Sequence, residues 1–451
     1  MQIHFSSASS SKILQGVTGV VMQIAFLWIL FSGITLIHNF VRLAVPISST
    51  KTGVLLVLLT FFLVFLCTHG RFYGDSRFLR YVIVVVGLYA VFLLLEGFLA
   101  IIADAGIKRA LTTLLNIGAF ILLLILMFLW SGGGENPTKG LQFILRPYVY
   151  ACLYIAGTGI IAWNLVFFQA VDLKKWQLPR EITPAAKTVY MPWYLSQVSG
   201  EKEESFRVFG YEVIRLAGFS KEPAQAALFV TPALFMTPFL FKGLHKTKRR
   251  RFAMAVLIFF IFVIASVANW ILLALLLPLL FFRYRSKVIF MVMIAVTIAG
   301  TIFLSKDVRE RYGIEQYERN IVRHKIQARD TDEFVDRYKR YFVPHAELGV
   351  GIFGTLEQEQ SRTLHPRSLL SVFFEHMLYV AMGITGLILV IRSKNGALFG
   401  FSLLYLLGHT QKDPVHTLEF PFYVFILFCA AIGFVLDFEM SRIEYAPKGD
   451  S

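Results

Sequence analysis

Gly53-Val-Leu-Leu-Val-Leu-Leu-Thr-Phe-Phe-Leu-Val-Phe-Leu-Cys-Thr-His69 holds no Asp, Glu, Lys or Arg and is apolar on every helical face. A surface helix of a soluble domain would alternate an apolar stripe with a charged one. A run of this kind is what a hydrocarbon bilayer requires, where ~18–20 apolar residues make one crossing. Similar runs recur along all 451 residues, of which 56% are hydrophobic and 16% charged. The expectation is an all-α polytopic membrane protein with about twelve spans. They fall near 17–40, 53–69, 81–103, 111–131, 147–170, 224–241, 253–267, 269–282, 288–304, 369–391, 397–409 and 419–437. The pair 253–267 and 269–282 meets at Asn269 and Trp270, and reads equally as two spans or as one bent or re-entrant element. Alternating strands of the outer-membrane-barrel type are absent.

Charge placement supplies the orientation. The net charge is +15. Lys242, Lys246, Lys248, Arg249, Arg250 and Arg251 form one block without an acid, Arg283, Arg285 and Lys287 a second, Arg392 and Lys394 a third. Each lies in a short connection, the pattern that keeps positive charge on the cytoplasmic side. A nucleic-acid partner is excluded by that placement. Counting outward puts both termini and the basic connections inside, and the long connections 171–223 and 305–368 outside. The whole chain, 1–451, then reads as one membrane domain with two large external loops. The first span is too long for a signal-peptide core. Cys67, Cys152 and Cys429 all fall in spans, which argues against an external disulfide or a metal set.

The loops carry the candidate chemistry. Loop 171–223 holds Trp176, Tyr190, Trp193, Tyr194 and Tyr211 among charges, a composition suited to the membrane surface. It ends in Arg215-Leu-Ala-Gly218-Phe219-Ser-Lys-Glu222-Pro223, at the entry to a span. Pro223 suits a first helical turn and Glu222 a helix N-terminus. Arg215 has two readings: a fork onto phosphate oxygens, or a side chain snorkelling to headgroups. Loop 305–368 is nearly balanced, with twelve basic and eleven acidic residues. An anion site there must come from a few arginines placed together. It includes Gly349-Val-Gly351 and then His365-Pro-Arg-Ser-Leu369. A neutral imidazole can take a proton from an attacking hydroxyl. Arg362 and Arg367 flank His365, and nearby cations favour the neutral ring. The plainer reading is an interfacial histidine with no task. Glu96 lies near the outer end of its span, within reach of Arg42 or Lys108. His409, Asp413 and His416 cluster in a short external connection, too few for a metal site and better read as the rim of an acceptor cleft.

Together these motifs resemble the O-antigen polymerase and O-antigen ligase superfamily. The carriers are Arg-x-x-Gly-Phe-x-x-Glu-Pro before a span, then a long external loop with Arg, Gly-x-Gly and His-x-x-x-Leu. They cover roughly residues 205–437. The resemblance implies inverting glycosyl transfer from an undecaprenyl-diphosphate-linked glycan, with no cofactor and no metal. It implies a bacterial inner-membrane enzyme whose partners are that donor, a glycan acceptor, the lipid bilayer and a chain-length regulator. His365 matches the family's loop histidine, the base on the acceptor hydroxyl, with His345, His324 and His376 as alternatives. Arg215 matches the arginine of the first large loop, which would hold the diphosphate. Arg329 matches that of the second, with Arg323, Arg319 and Arg337 as competitors. Arg362, Arg367 and Glu222 would support them. Pro366 stands where the family often has Asn. The expected activity is polymerisation of lipid-linked repeat units; the alternatives are ligation of the finished glycan to lipid A–core, or a flippase or transporter without catalysis.

Overall fold

The computed structural model describes residues 9–31, 49–68, 107–133, 136–168, 170, 174–177, 188–193, 196–198, 206–208, 211–213, 216–218, 223–241, 247–264, 267–284, 369–393, 396–409 and 420–444. Within them the chain is a bundle of ten α-helices: α1 (Ser9–Phe31), α2 (Ser49–Thr68), α3 (Ile107–Trp130), α4 (Pro137–Phe167), α5 (Pro223–Leu240), α6 (Thr247–Val263), α7 (Val267–Tyr284), α8 (Leu369–Arg392), α9 (Ala397–His409) and α10 (Phe420–Glu444). The helical class is as the sequence indicates. The expected spans 81–103 and 288–304 lie outside the described residues.

Several boundaries differ from the hydropathy reading, for local reasons. α4 begins ten residues before the expected 147. Asn136 caps it, its Oδ1 accepting the Lys139 N–H at 3.1 Å, and Pro137 occupies the first helical position. α1 begins at Ser9 rather than near Val17. The basic residues Lys248 to Arg251 form the first turns of α6, so that helix starts inside the charged block. The junction expected at Asn269 and Trp270 instead falls between Ile264 and Val267, and both residues belong to α7. α6 and α7 do not close into a tight hairpin. α6 packs on α4 and α5, whereas α7 packs on α9, α5 and α8.

The connection 171–223 contains six short strands, β1 to β6 in chain order. They are Lys174–Gln177, Thr188–Trp193, Ser196–Val198, Phe206–Val208, Tyr211–Val213 and Leu216–Gly218. β1, β2, β3 and β6 form one antiparallel sheet in that order, and β4 pairs with β5. Leu216 is fully buried. Its side chain and that of Phe260 close around Gly159, which fastens β6 to the ends of α4 and α6.

Side-chain contacts sort the helix ends into two layers. At one end Thr18 meets Cys67, Trp130 meets Gly19, Gln142 Nε2 donates to the Phe239 carbonyl at 3.5 Å, and Arg283 Nη2 donates to the Ser393 carbonyl at 2.6 Å. Lys12, Lys139, Arg146, Lys248 to Arg251, Arg283 and Arg392 all lie at this basic end. At the far end Gly53 meets Ile29, Phe31 meets Phe229, Gly159 meets Phe260, and Leu407 meets Gly383. Consecutive helices α3, α4, α5 and α6 therefore alternate in direction, as do α8, α9 and α10.

The centre is aromatic. Phe26, Phe120, Tyr148, Phe229, Phe422 and Phe425 pack as stacked and tilted rings and are all buried. Two prolines interrupt α5, and the loss of an N–H at Pro232 loosens the ladder there. The carbonyls of Phe229 and Ala227 each receive a phenolic hydroxyl, from Tyr148 at 2.5 Å and from Tyr405 at 3.1 Å. Such side-chain donors let a proline-bearing helix remain buried.

The outward faces are apolar too. Ile13, Val17, Val20 and Ile24 are exposed along one face of α1, and Val380, Ile384, Leu387, Ile388 and Ile391 along one face of α8. Leu55, Leu58, Leu59, Phe62, Phe65 and Leu66 do the same on α2. Helical spacing of three and four keeps each set on one side. Two helices, over Lys12–Phe31 and Pro137–Leu165, are long and apolar enough to cross a membrane, and seven more contain shorter apolar stretches.

The tightest helix pair is α8 with α9. A Cβ on Gly400 would stand 2.7 Å from the Gly386 carbonyl oxygen and 2.8 Å from Leu389 Cβ, neither of which a rotamer change relieves. Nothing lies within 4 Å of the corresponding position on Gly16. Gly16→Ala is expected to raise the thermal unfolding midpoint of the purified protein, since alanine favours a helix by about 0.5–1 kcal/mol. Gly400→Ala gains the same propensity and is nevertheless expected to lower it, by the equivalent of about 1–3 kcal/mol of overpacking. Equal shifts for the two variants would contradict this packing.

Candidate functional site

Polar side chains are scarce in the buried core. Among the described residues they are Thr18, Thr60, Thr231, Thr237, Asn269, Ser393, Ser402 and His409. None is an Asp, Glu, Lys or Arg. Three of them converge, with the hydroxyl of Tyr405, at the far end of the bundle.

Tyr405 and His409 lie one helical turn apart at the end of α9, so both project from one face. The Tyr405 hydroxyl oxygen lies 3.0 Å from His409 Nε2, 2.5 Å from Asn269 Oδ1 and 3.1 Å from the Ala227 carbonyl. The Thr231 hydroxyl donates to the same Asn269 Oδ1 at 3.1 Å. One phenolic oxygen thus ties α5, α7 and α9 together. Asn269 and Tyr405 are fully buried and His409 is 3% exposed.

Hydrogen counting orders this cluster. Tyr405 has one proton and three candidate acceptors in reach: a side-chain amide, a backbone carbonyl and, in one tautomer, His409 Nε2. The 2.5 Å separation suits O–H···O and is shorter than N–H···O bonds run, so the oxygen of the Asn269 amide faces Tyr405. Tyr405 then donates to Asn269 Oδ1. His409 Nε2 pairs with the same Tyr405 oxygen at 3.0 Å, the direction of that bond being set by the imidazole tautomer. Asn269 Oδ1 accepts two hydroxyl protons, and Asn269 Nδ2 is buried with no hydrogen-bond partner. The opposite amide orientation would strand Oδ1 in its place, so one end of this amide is unpaired either way. Burying a donor without a partner costs about 1–3 kcal/mol.

No protein-family model matches this chain, and neither a curated protein nor a solved structure matches it.

The residues singled out in the sequence stand as follows. Arg215, Glu222, Arg323, Arg329, Arg362, His365 and Arg367 lie outside the described residues, as do Arg319, Arg337, His324, His345, Glu96, Asp413 and His416. His376 belongs to the backbone of α8. His409 is the member of the expected rim that is described, and it sits in the polar cluster. The described neighbours of the two key loop residues converge. Arg215 directly precedes Leu216, the buried anchor of β6, and α5 opens eight residues after it, at Pro223. His365 precedes the first residue of α8, Leu369, by four. α5 touches Tyr405 through Ala227, and α8 touches α9 where Gly383 meets Leu407. The far end of α9 lies between the two helices that the long loops enter.

Sequence reading missed Asn269, Tyr405 and Thr231 as partners. Asn269 served only as a junction mark. The available signal was an amide inside an apolar run, and a Tyr–His pair at positions i and i+4. Among the described residues no group of three or more His, Cys, Asp or Glu could hold a metal ion.

Tyr405→Phe is expected to lower stability by about 1–3 kcal/mol, because Asn269 and His409 both lose their shared partner in a buried setting. Thr231→Val removes one hydroxyl from an oxygen that keeps the other, and should cost about 0.5–1.5 kcal/mol. Thermal or denaturant unfolding in detergent micelles checks the order; a larger loss for Thr231→Val would reject this hydrogen assignment.

Proposed function

We propose that the chain is a polytopic membrane glycosyltransferase that joins undecaprenyl-diphosphate-linked glycan repeats on the external face of a bacterial inner membrane. The resemblance set out from the sequence supplies the reaction. The observation that carries the reading is the gathering of buried polar chemistry at the far end of α9, between the helices that follow Arg215 and His365.

Three further observations support it. Outward faces of Ile, Leu, Val and Phe suit lipid and would be a liability in water. The basic block Lys248 to Arg251 shares an end of the bundle with Arg283 and Arg392, which suits the cytoplasmic side, against Lys51, Lys108 and Arg109 at the other. α2 and α3 run in the same direction, as do α7 and α8, as a twelve-span order with crossings at 81–103 and 288–304 requires. A transporter reading would place ionised side chains in mid-span. The buried polar groups described are neutral hydroxyls, an amide and an imidazole.

The reaction is an inverting displacement. The acceptor hydroxyl oxygen bonds to the anomeric carbon of the donor sugar, and the bond from that carbon to the diphosphate oxygen breaks. His365 takes the hydroxyl proton. Arg215 and Arg329 meet the negative charge that develops on the departing undecaprenyl diphosphate. The loops hold two bulky lipid-anchored substrates in line, so that the attack is effectively unimolecular.

His365→Ala and Arg215→Ala are each expected to abolish long-chain glycan while the protein still inserts in the membrane, read as loss of the ladder on a gel of surface polysaccharide. Normal ladders from both variants would refute the assignment. Orientation has its own test. Cys67, Cys152 and Cys429 are buried and should not react. A membrane-impermeant maleimide added to intact spheroplasts should therefore label Ser199→Cys and leave Thr247→Cys unmodified; the reverse pattern would invert the topology.

A further inference from the structure

Cations of two neighbouring helices stand at one level. α4 and α6 pack together, both running from the basic end to the far end, and Gly159 of α4 faces Phe260 of α6. Thirteen residues before that contact come Arg146 on α4 and Thr247 on α6. At ~1.5 Å of rise per residue, both lie ~20 Å back from it. Arg146 is therefore level with the first turn of α6, and Arg146, Lys248, Arg249 and Arg251 are all exposed. The first turn of α6 holds no acid, and no carboxylate stands among the described side chains to neutralise these cations. Positive charge at a helix N-terminus opposes the dipole, and like charges one turn apart repel. An anion here would relieve both.

The exposed surface changes character along each helix. On α6 it continues from Lys248 and Arg251 through Phe252, Ile258, Phe259 and Phe262, at spacings that keep one face. Phe252 is 73% exposed, directly beside the cations. The apolar part, from Phe252 to Phe262, rises ~15 Å, half of a ~30 Å hydrocarbon core and so one leaflet. α4 repeats the order: Arg146, then Tyr150, Tyr154 and Ile161, all exposed and on one side. A cationic head above an apolar stripe one leaflet deep is the complement of an anionic phospholipid.

From this juxtaposition we infer that Arg146 of α4 and Lys248, Arg249 and Arg251 of α6 hold the headgroup of an anionic glycerophospholipid of the phosphatidylglycerol class in the cytoplasmic leaflet. Its acyl chains lie along the exposed face of α6. The inference rests on the membrane part of the reading above and not on its glycosyl-transfer chemistry. Guanidinium groups fork onto the phosphodiester oxygens. A zwitterionic lipid would bring its own ammonium among four cations, so the site selects lipids with net negative charge. A free phosphate would meet the cations but leave the apolar stripe uncovered.

The test is native mass spectrometry of the purified full-length protein in a non-ionic detergent, titrated with dioleoylphosphatidylglycerol or dioleoylphosphatidylcholine. The parent protein should bind its first phosphatidylglycerol at least fivefold more tightly than its first phosphatidylcholine. Arg146→Gln combined with Arg251→Gln should reduce that preference to less than twofold. Lys12→Gln combined with Arg392→Gln takes the same charge from the same end, on α1 and α8, and should keep the preference within twofold of the parent's. No preference in the parent, or its loss in both pairs or in neither, would overturn the inference. Displacement of phosphatidylglycerol by an equal concentration of inorganic phosphate would overturn it in favour of a soluble anion. A parent dimer that separates when Arg146 and Arg251 are changed would overturn it in favour of a face between copies of the chain. Release of the parent protein from cell membranes by alkaline carbonate would instead overturn the membrane reading, and this inference with it.

Discussion

A backbone amide or carbonyl cannot be left unpaired in apolar surroundings, and the described helices here are apolar toward their neighbours and, along faces of α1, α2 and α8, outward as well. Helix is the local structure that satisfies its backbone within a single segment. That constraint explains why so many of the described residues lie in helices. It also explains the corrections the structure makes to itself. Pro232 removes the N–H that would pair with the Leu228 carbonyl, and tyrosines of α4 and α9 donate to the carbonyls on either side of it, Phe229 and Ala227. Where α4 begins, Asn136 and Pro137 satisfy or remove the first donors.

Interior packing then rests on shape rather than on polar contacts. Phenylalanine and tyrosine rings fill the centre, and glycines let α8 and α9 approach until backbone meets backbone. With the interior assigned to packing, polar groups are confined to places where they can be paired. Arg283 on the Ser393 carbonyl ties the basic ends of α7 and α8. The Tyr405 hydroxyl ties the far ends of α5, α7 and α9. The two ends therefore differ in chemistry: a cationic grip on a carbonyl at one, a neutral network with an unsatisfied amide at the other.

Much of the fold was legible because span length and apolar content are summed over many residues. The runs at 53–69, 369–391 and 397–409 appear as α2, α8 and α9 with small shifts. Boundaries set by single residues were not legible. Hydropathy averages blur a cap such as Asn136 into its neighbours, and they place a junction at the polar Asn269 when that residue lies inside α7, which begins at Val267. The strands in 171–223 were not anticipated either, since three-residue pairings leave no periodicity to count. The candidate site divided along the same line. Arg215 and His365 stand out by sequence because they are polar beside a span. Asn269 and Tyr405 do not, because their meaning lies in three helices meeting, with 136 residues between them.

That separation bears on how a transferase of this type would be assembled. Loops that carry an arginine and a histidine need a rigid frame, or the two groups would sample too many separations to act together. The described frame is the far end of α9. On one side the Tyr405 hydroxyl fixes it to α5, which the first loop enters; on the other, Leu407 against Gly383 fixes it to α8, which the second loop enters. Leu216 adds a second anchor beside Arg215. Eight residues of chain reach at most ~29 Å and four at most ~14 Å. The helices that follow the two loops thus flank one polar cluster, and the same hydroxyl that brings them together also holds the Asn269 amide.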